Sequence, residues 1–99
     1  MANQIEKARR VTQPSNTDAE LRSVLSDVLS LSADRAAALA ADSGLFGALP
    51  ELDSMAVAGL LTEIEDRFAI MIDDEEVDGD MLGTYGDLLA FVRGKRGEA

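Results

Sequence analysis

Two stretches of this chain repeat their apolar residues at the spacing of an α-helix. Leu21, Val24, Leu25, Val28 and Leu29 fall at i, i+3, i+4, i+7 and i+8, along one side of a helix. Val57, Leu60, Leu61, Ile64 and Phe68 form a second stripe. With Val57 set at 0° and about 100° added per residue, the other four fall within roughly 60° of it. A third, shorter stripe joins Tyr85, Leu88, Leu89 and Val92. Short amphipathic helices are marginal alone in water, so such stripes must bury against one another. Composition agrees. Only 4% of residues are aromatic, and the apolar remainder is mainly Leu, Ala, Val, Ile and Met, which favours packed helices over a β-sandwich.

Local signals set the expected boundaries. Residues 1–16 are polar, contain Pro14 and read as a flexible leader, with a short helical stretch around Ile5 to Arg10. Thr17 and Glu20 have the spacing of a capping box at the start of helix one. Ser32 to Asp42 is Ala-rich and reads as a short helix or helical turn. Asp42 to Asp53 holds Gly44, Gly47 and Pro50 and reads as a long structured loop. Its apolar residues Leu45, Phe46, Leu49 and Leu52 are expected to lie down on the bundle. A second long helix is expected from Ser54 to Phe68, with Asp53 or Ser54 as its N-cap. Ile70 and Ile72 lead out of it into the acid run Asp73 to Glu76, followed by a brief third helix around Val77 to Leu82 that contains Gly79. Thr84 caps a final helix, and residues 94–99 form a polar tail. The prediction is an all-α four-helix bundle over residues 17–93, with a long loop between helices one and two and a short third helix.

The 99-residue chain has no Cys and no His. That excludes disulfides, thiolate nucleophiles, the usual zinc ligands and a Ser-His-Asp triad. A chain this small has little room for an enclosed active site, so no catalytic residue is expected. The net charge is −10, and the segment Ala36 to Val92 alone carries −12, with Arg67 its single base. Such a field repels nucleic acid and anionic membranes and attracts basic protein surfaces, although solubility alone would also account for it. Asp74-x-Glu76-x-Asp78-Gly79 resembles the start of a calcium loop, but the twelfth position, which needs a bidentate Glu, is Tyr85, so no metal site is expected. Met1 to Pro14 lacks the apolar core of a signal peptide, and no apolar run approaches the ~20 residues of a membrane span. A cytoplasmic monomer is the expectation.

The chemistry centres on Leu49-Pro50-Glu51-Leu52-Asp53-Ser54-Met55-Ala56-Val57. A serine stands where a loop meets a helix N-terminus, whose unpaired N–H groups and dipole favour an anion such as a phosphodiester. Asp53 could help to hold a divalent cation while such a group is transferred. Taken alone, Asp53-Ser54 is equally well an ordinary N-cap. On the helical wheel Met55 lies about 160° from Val57, and Gly59, Thr62 and Asp66 share its face, with Glu63 and Glu65 beside it. An adaptable Met and a mid-helix Gly suit a docking surface, and a plain solvated face is the alternative.

Leu52-Asp53-Ser54-Met55 resembles the Asp-Ser-Leu signature of acyl carrier proteins, with Met in place of Leu. The likeness extends from Asp18 to Val92, through the long loop, Glu65-Asp66-Arg67-Phe68, Ile70-x-Ile72 and Leu88-Leu89-x-Phe91-Val92. It implies that Ser54 receives 4′-phosphopantetheine from coenzyme A through a separate phosphopantetheinyl transferase with Mg²⁺, assisted by Asp53. It also implies that the second helix, with Met55, Gly59, Thr62, Glu63 and Asp66, recognises partners. Those partners are acyl-activating or acyl-transferring enzymes with basic docking surfaces. The stretch Leu49 to Val57 looks most like carriers of bacterial exosortase and exopolysaccharide clusters. Ala56, Ala58 and Gly59 stand where fatty-acid-synthesis carriers often have acids, which speaks against ready exchange with that pathway's enzymes. An aminoacyl, peptidyl or polyketide carrier on the same scaffold stays open, as does an acidic interaction module with an unmodified Ser54.

Overall fold

The computed structural model describes residues 16–98. The helical stretch expected around Ile5 to Arg10 lies outside the described residues. Among those described there are four α-helices: α1 Thr17–Leu29, α2 Ala33–Ala37, α3 Ser54–Phe68 and α4 Tyr85–Lys95. The fold is all-α, and the one β feature among the described residues is an isolated antiparallel bridge between Gly44 and Thr84.

The apolar stripes meet where their periodicity requires. Helix α1 packs against α2, α3 and α4. Leu21, Val24 and Leu25 of α1, Leu60 and Ile64 of α3, and Leu88 and Val92 of α4 are fully buried together, with Leu45 contributed by the long loop. Burying each such side chain contributes about 1.5–3 kcal/mol. Val57 departs from its expected place. It is half-buried at the edge of the core, because α3 begins beside an open cavity rather than beneath another helix.

The expected capping box at Thr17 does not form. Asn16 is the N-cap of α1 and makes no side-chain cap bond. Thr17 is fully buried inside the helix, where its hydroxyl donates to Glu98 Oε2 at 2.7 Å and accepts from the Arg96 guanidinium at 3.2 Å. Glu20 instead pairs with Arg67 at 2.9 Å. Two long-range contacts, one to residues 96 and 98 and one to Arg67 of α3, have taken the groups that local spacing had assigned to each other. The last helix runs through Gly94 to Lys95, past the point where a polar tail was expected.

The short third helix is also displaced. Residues Asp74–Glu76 form a 3₁₀ turn, and 77–82 is irregular. The turn is tied early by Glu76, whose carboxylate accepts from the Asp73 N–H at 2.9 Å and pairs with Lys95 of α4 at 2.7 Å. Asp78 then caps the Met81 N–H at 2.8 Å, which starts a turn where a helix would have continued.

The long loop is pinned to the segment before α4. Leu45 N–H donates to the Gly83 carbonyl and Phe46 N–H to the Leu82 carbonyl, both at 3.0 Å, and Tyr85 N–H donates to Ser43 at 2.8 Å. Gly86 N–H reaches the Ala41 carbonyl at 2.8 Å, and a Cβ at Gly86 would sit 2.8 Å from that same oxygen. These bonds bury Leu45 and turn its neighbour outward. Phe46 is 47% exposed, against the expectation that it lies on the bundle.

Candidate functional site

The start of α3 is built in layers. Leu52 is buried and anchors the chain just before the helix. Glu51 is held from α2 by both guanidinium nitrogens of Arg35, at 2.6 and 3.3 Å, and Arg35 keeps its carboxyl below the usual range. Asp53 is the N-cap. Its Oδ1 accepts from the Ala56 N–H at 2.8 Å, and its carbonyl accepts from Val57 N–H at 3.0 Å. Ser54 follows as the first helical residue and is exposed. Of the two caps open from the sequence, the structure selects Asp53. This leaves the Ser54 hydroxyl outside the capping hydrogen bond. The amides of Ser54 and Met55 belong to the first turn, which has no partners within its own helix.

Ser54 lies between two hollows. On the helix side a cavity of about 240 Å³ is lined by Phe46, Val57, Val77, Asp78, Gly79 and Leu82 together with Ser54. On the loop side a wider hollow of about 460 Å³ runs over Gly47, Ala48, Leu49, Pro50 and Leu52. Phe46 and Ser54 line both. The sequence reading missed Phe46, Val77 and Leu82 as site residues. The available signal was Val77 and Leu82, apolar residues flanking Gly79 in an otherwise acidic stretch.

The remaining candidate residues spread along α3. Met55 is 86% exposed, and Gly59, Thr62 and Asp66 are exposed on the same helix. Nothing lies within 4 Å of where a Gly59 side chain would begin. Thr62 turns its hydroxyl back to the Ala58 carbonyl at 3.0 Å. Glu63 is paired with Arg67 at 2.7 Å, so its charge is partly spent within the molecule. At 1.5 Å rise per residue, Asp66 stands about 18 Å along the axis from Ser54, so these residues form a face and not a cluster. Among the described residues no group of three acidic or other ligating side chains is placed to hold a metal ion.

The site has a definite chemical character. Asp53 Oδ1 is engaged with the helix it caps. The serine is presented in solvent at the positive end of a 15-residue helix, beside apolar space. An anionic ester there would meet first-turn N–H groups, and an apolar chain leaving it would find Val57, Val77 and Leu82. The fold and the site together define a small helical domain that presents a serine at a helix N-terminus. Residues 19–92 match the family described as the phosphopantetheine attachment site. The solution NMR structure of a holo acyl carrier protein from Nitrosomonas europaea is 40% identical to this chain. It superimposes with a TM-score of 0.74 over 84% of this chain and 98% of that one. No curated protein matches the chain.

The chain belongs to the phosphopantetheine-attachment family, that of the acyl carrier proteins. Its cofactor is covalently attached 4′-phosphopantetheine, and carriers of this family work with a phosphopantetheinyl transferase and with enzymes that handle acyl groups. No helix among the described residues is long and apolar enough to cross a membrane.

Proposed function

We propose that Ser54 is the attachment point and that the protein carries an acyl group or related carboxylic acid, which it presents to successive enzymes. The observation that carries this reading is an exposed serine opening α3 directly after its Asp53 cap, inside the family-matched segment. In the loading step the Ser54 oxygen forms a bond to phosphorus of the coenzyme A pyrophosphate. The bond to the departing adenosine bisphosphate breaks, and the hydroxyl proton passes to a base on the transferase. Asp53 holds the helix start in shape and offers a carboxylate oxygen toward the transferase's Mg²⁺. The bound group supplies a terminal thiol that holds the cargo as a thioester. Tethering then raises the cargo's effective concentration at whichever enzyme docks.

The docking face is Met55, Gly59, Thr62, Glu63 and Asp66. Its first two turns expose Met55, Ala58 and Gly59 and carry no acid, which supports partners other than those of fatty-acid synthesis. Exopolysaccharide assembly is the pathway class we propose, from the likeness of Leu49 to Val57 to carriers of that type. The test is intact mass before and after incubation with coenzyme A, Mg²⁺ and a broad-specificity transferase, followed by peptide mapping. A gain of one phosphopantetheinyl group on Ser54 is expected. Ser54→Ala should gain none while its stability stays within about 0.5 kcal/mol of wild type, as for an exposed surface position. Loading at any other residue, or none on folded protein, would overturn the assignment.

A further inference from the structure

The junction between the long loop and α3 is held from outside the core as well as from within. Leu52 is buried, while Pro50 and Asp53 near it are exposed. Among the described residues, the N–H groups of 50–53 make one backbone bond, from Leu52 to the Leu49 carbonyl at 3.0 Å. A segment with so few backbone bonds opens easily unless side chains fasten it.

Glu51 reaches across to another element. Arg35 of α2 grips its carboxylate with two nitrogens on two oxygens, at 2.6 and 3.3 Å. A forked pair of this kind fixes direction as well as distance. The anchor behind it is firm. α2 has five residues, too few for a helix to persist alone in water, and it is fastened at both ends. The Ser32 hydroxyl accepts from the Arg35 N–H at 3.1 Å. Arg22 of α1 donates to the carbonyls of Ala36 and Ala37 at 2.7 and 3.2 Å. Arg22 also pairs with Asp18 at 3.0 Å and lies 4.5 Å over the ring of Tyr85, which opens α4. One guanidinium thus ties α2 to α1 and α4, and a second ties α2 to the entrance of α3.

The Arg35 and Glu51 side chains are 49% and 31% exposed, and an ion pair as open as this contributes little to global stability. What it can do is select one local shape among several of similar energy. That shape includes Pro50, Leu52, Asp53 and Ser54, which form one side of the loop-side hollow.

We infer that the Arg35–Glu51 pair holds this junction in the shape in which a transferase receives Ser54, so that Arg35 and Glu51 are positioning residues for loading. This rests on Ser54 being the attachment point. The pair acts through the backbone it holds, so its two charges can be exchanged but neither can be removed.

The test is loading of the full-length protein from coenzyme A and Mg²⁺ by a broad-specificity transferase, at varied carrier concentration. Arg35→Ala and Glu51→Ala should each lower kcat/KM several-fold, mainly through KM, with melting temperatures within a few degrees of wild type. The exchanged pair, Arg35→Glu with Glu51→Arg, should recover most of that loss. Amide hydrogen exchange should quicken at Leu52, Asp53 and Ser54 in both single variants and stay unchanged at Leu60 and Ile64. Were Arg35 instead to meet the transferase directly, Glu51→Ala would load as well as wild type and the exchanged pair would stay slow, which would overturn the inference. Wild-type rates in both single variants, unchanged exchange at the junction, or a large loss of melting temperature would overturn it too. Peptide mapping of the loaded wild type separates the two readings. A phosphopantetheinyl group elsewhere than on Ser54 removes the attachment site and this inference with it, whereas a group on Ser54 loaded at equal rates removes this inference alone.

Discussion

At the scale of single residues, Asp53 carries two roles that can be separated. As N-cap it accepts the Ala56 N–H, and as a carboxylate it stands beside the proposed attachment serine. Asp53→Asn keeps a cap of similar quality and removes the charge. Asp53→Ala removes both and is expected to cost about 1 kcal/mol. If the charge serves transfer, Asn should keep the denaturant midpoint near wild type yet slow loading. Equal loading rates for Asn and wild type would restrict Asp53 to capping. Met55 offers the complementary case. At 86% exposure it contributes little to the core, so Met55→Asp is expected to leave the melting temperature within a degree or two of wild type, in line with about 0.5 kcal/mol or less. Turnover by a partner enzyme should fall several-fold. A large loss of stability would mean that Met55 is packed in solution.

At the scale of elements, two glycines make opposite predictions from the same substitution. Gly59 sits inside α3 with open space around it, so Gly59→Ala should raise stability by about 0.5–1 kcal/mol. Gly86 opens α4 against Ala41, where a methyl would meet a carbonyl at 2.8 Å, so Gly86→Ala should lower it by about 1–3 kcal/mol. Urea unfolding of both variants checks the pair, and equal effects would contradict the packing described. If Gly59→Ala is more stable yet slower with a partner, then close approach at that turn accounts for a glycine in mid-helix. The elements themselves were largely legible. Periodicity placed α1, α3 and α4 because their stripes bury against one another, and Thr84 caps α4 through the Asp87 N–H as its spacing suggested. What was not legible came from contacts between distant parts of the chain. Thr17 lost its capping role to Glu98, 81 residues away. The short helix expected at 77–82 gave way to a turn tied to Lys95. Of the site, Ser54, Asp53 and the exposure of Met55 could be read locally. Phe46 could not, because its outward position follows from backbone bonds to Leu82 and Gly83.

At the scale of the whole molecule, few cations hold many acids. Arg67 pairs with Glu63 of its own helix at 2.7 Å and bridges α3 to α1 through Glu20 and Asp27 at 2.9 and 2.5 Å, and these contacts keep its guanidinium firmly protonated. Among the described residues three carboxyls are held below their usual range. Burial pushes Asp18 up, but hydrogen bonds from Tyr85 and Arg22 outweigh it. Arg35 lowers Glu51, and Lys95 lowers Glu76. A carboxyl with a depressed folded value stabilises the fold fully above its ordinary value. That stability is lost as pH falls through the folded value. Stability is therefore expected to be level near neutrality and to decline below about pH 4. Asp18→Asn should make the decline shallower. Urea midpoints measured from pH 7 to pH 2 check both statements, and a decline as steep in Asp18→Asn as in wild type would remove Asp18 from the account.

The fastening of residues 44–46 to 82–84 has a consequence for biosynthesis. The loop that shapes one side of Ser54 takes its form from a segment made nearly forty residues later on the ribosome. Until Thr84 has left the exit tunnel, the serine exists but its surroundings do not. A transferase that reads the shape around Ser54 would thus meet a suitable substrate only once the segment through Thr84 has emerged, which would spare coenzyme A from being spent on shorter fragments. Stalled nascent chains ending before and well after Thr84 should differ sharply in loading, and equal loading of both would show that the transferase reads the local peptide alone.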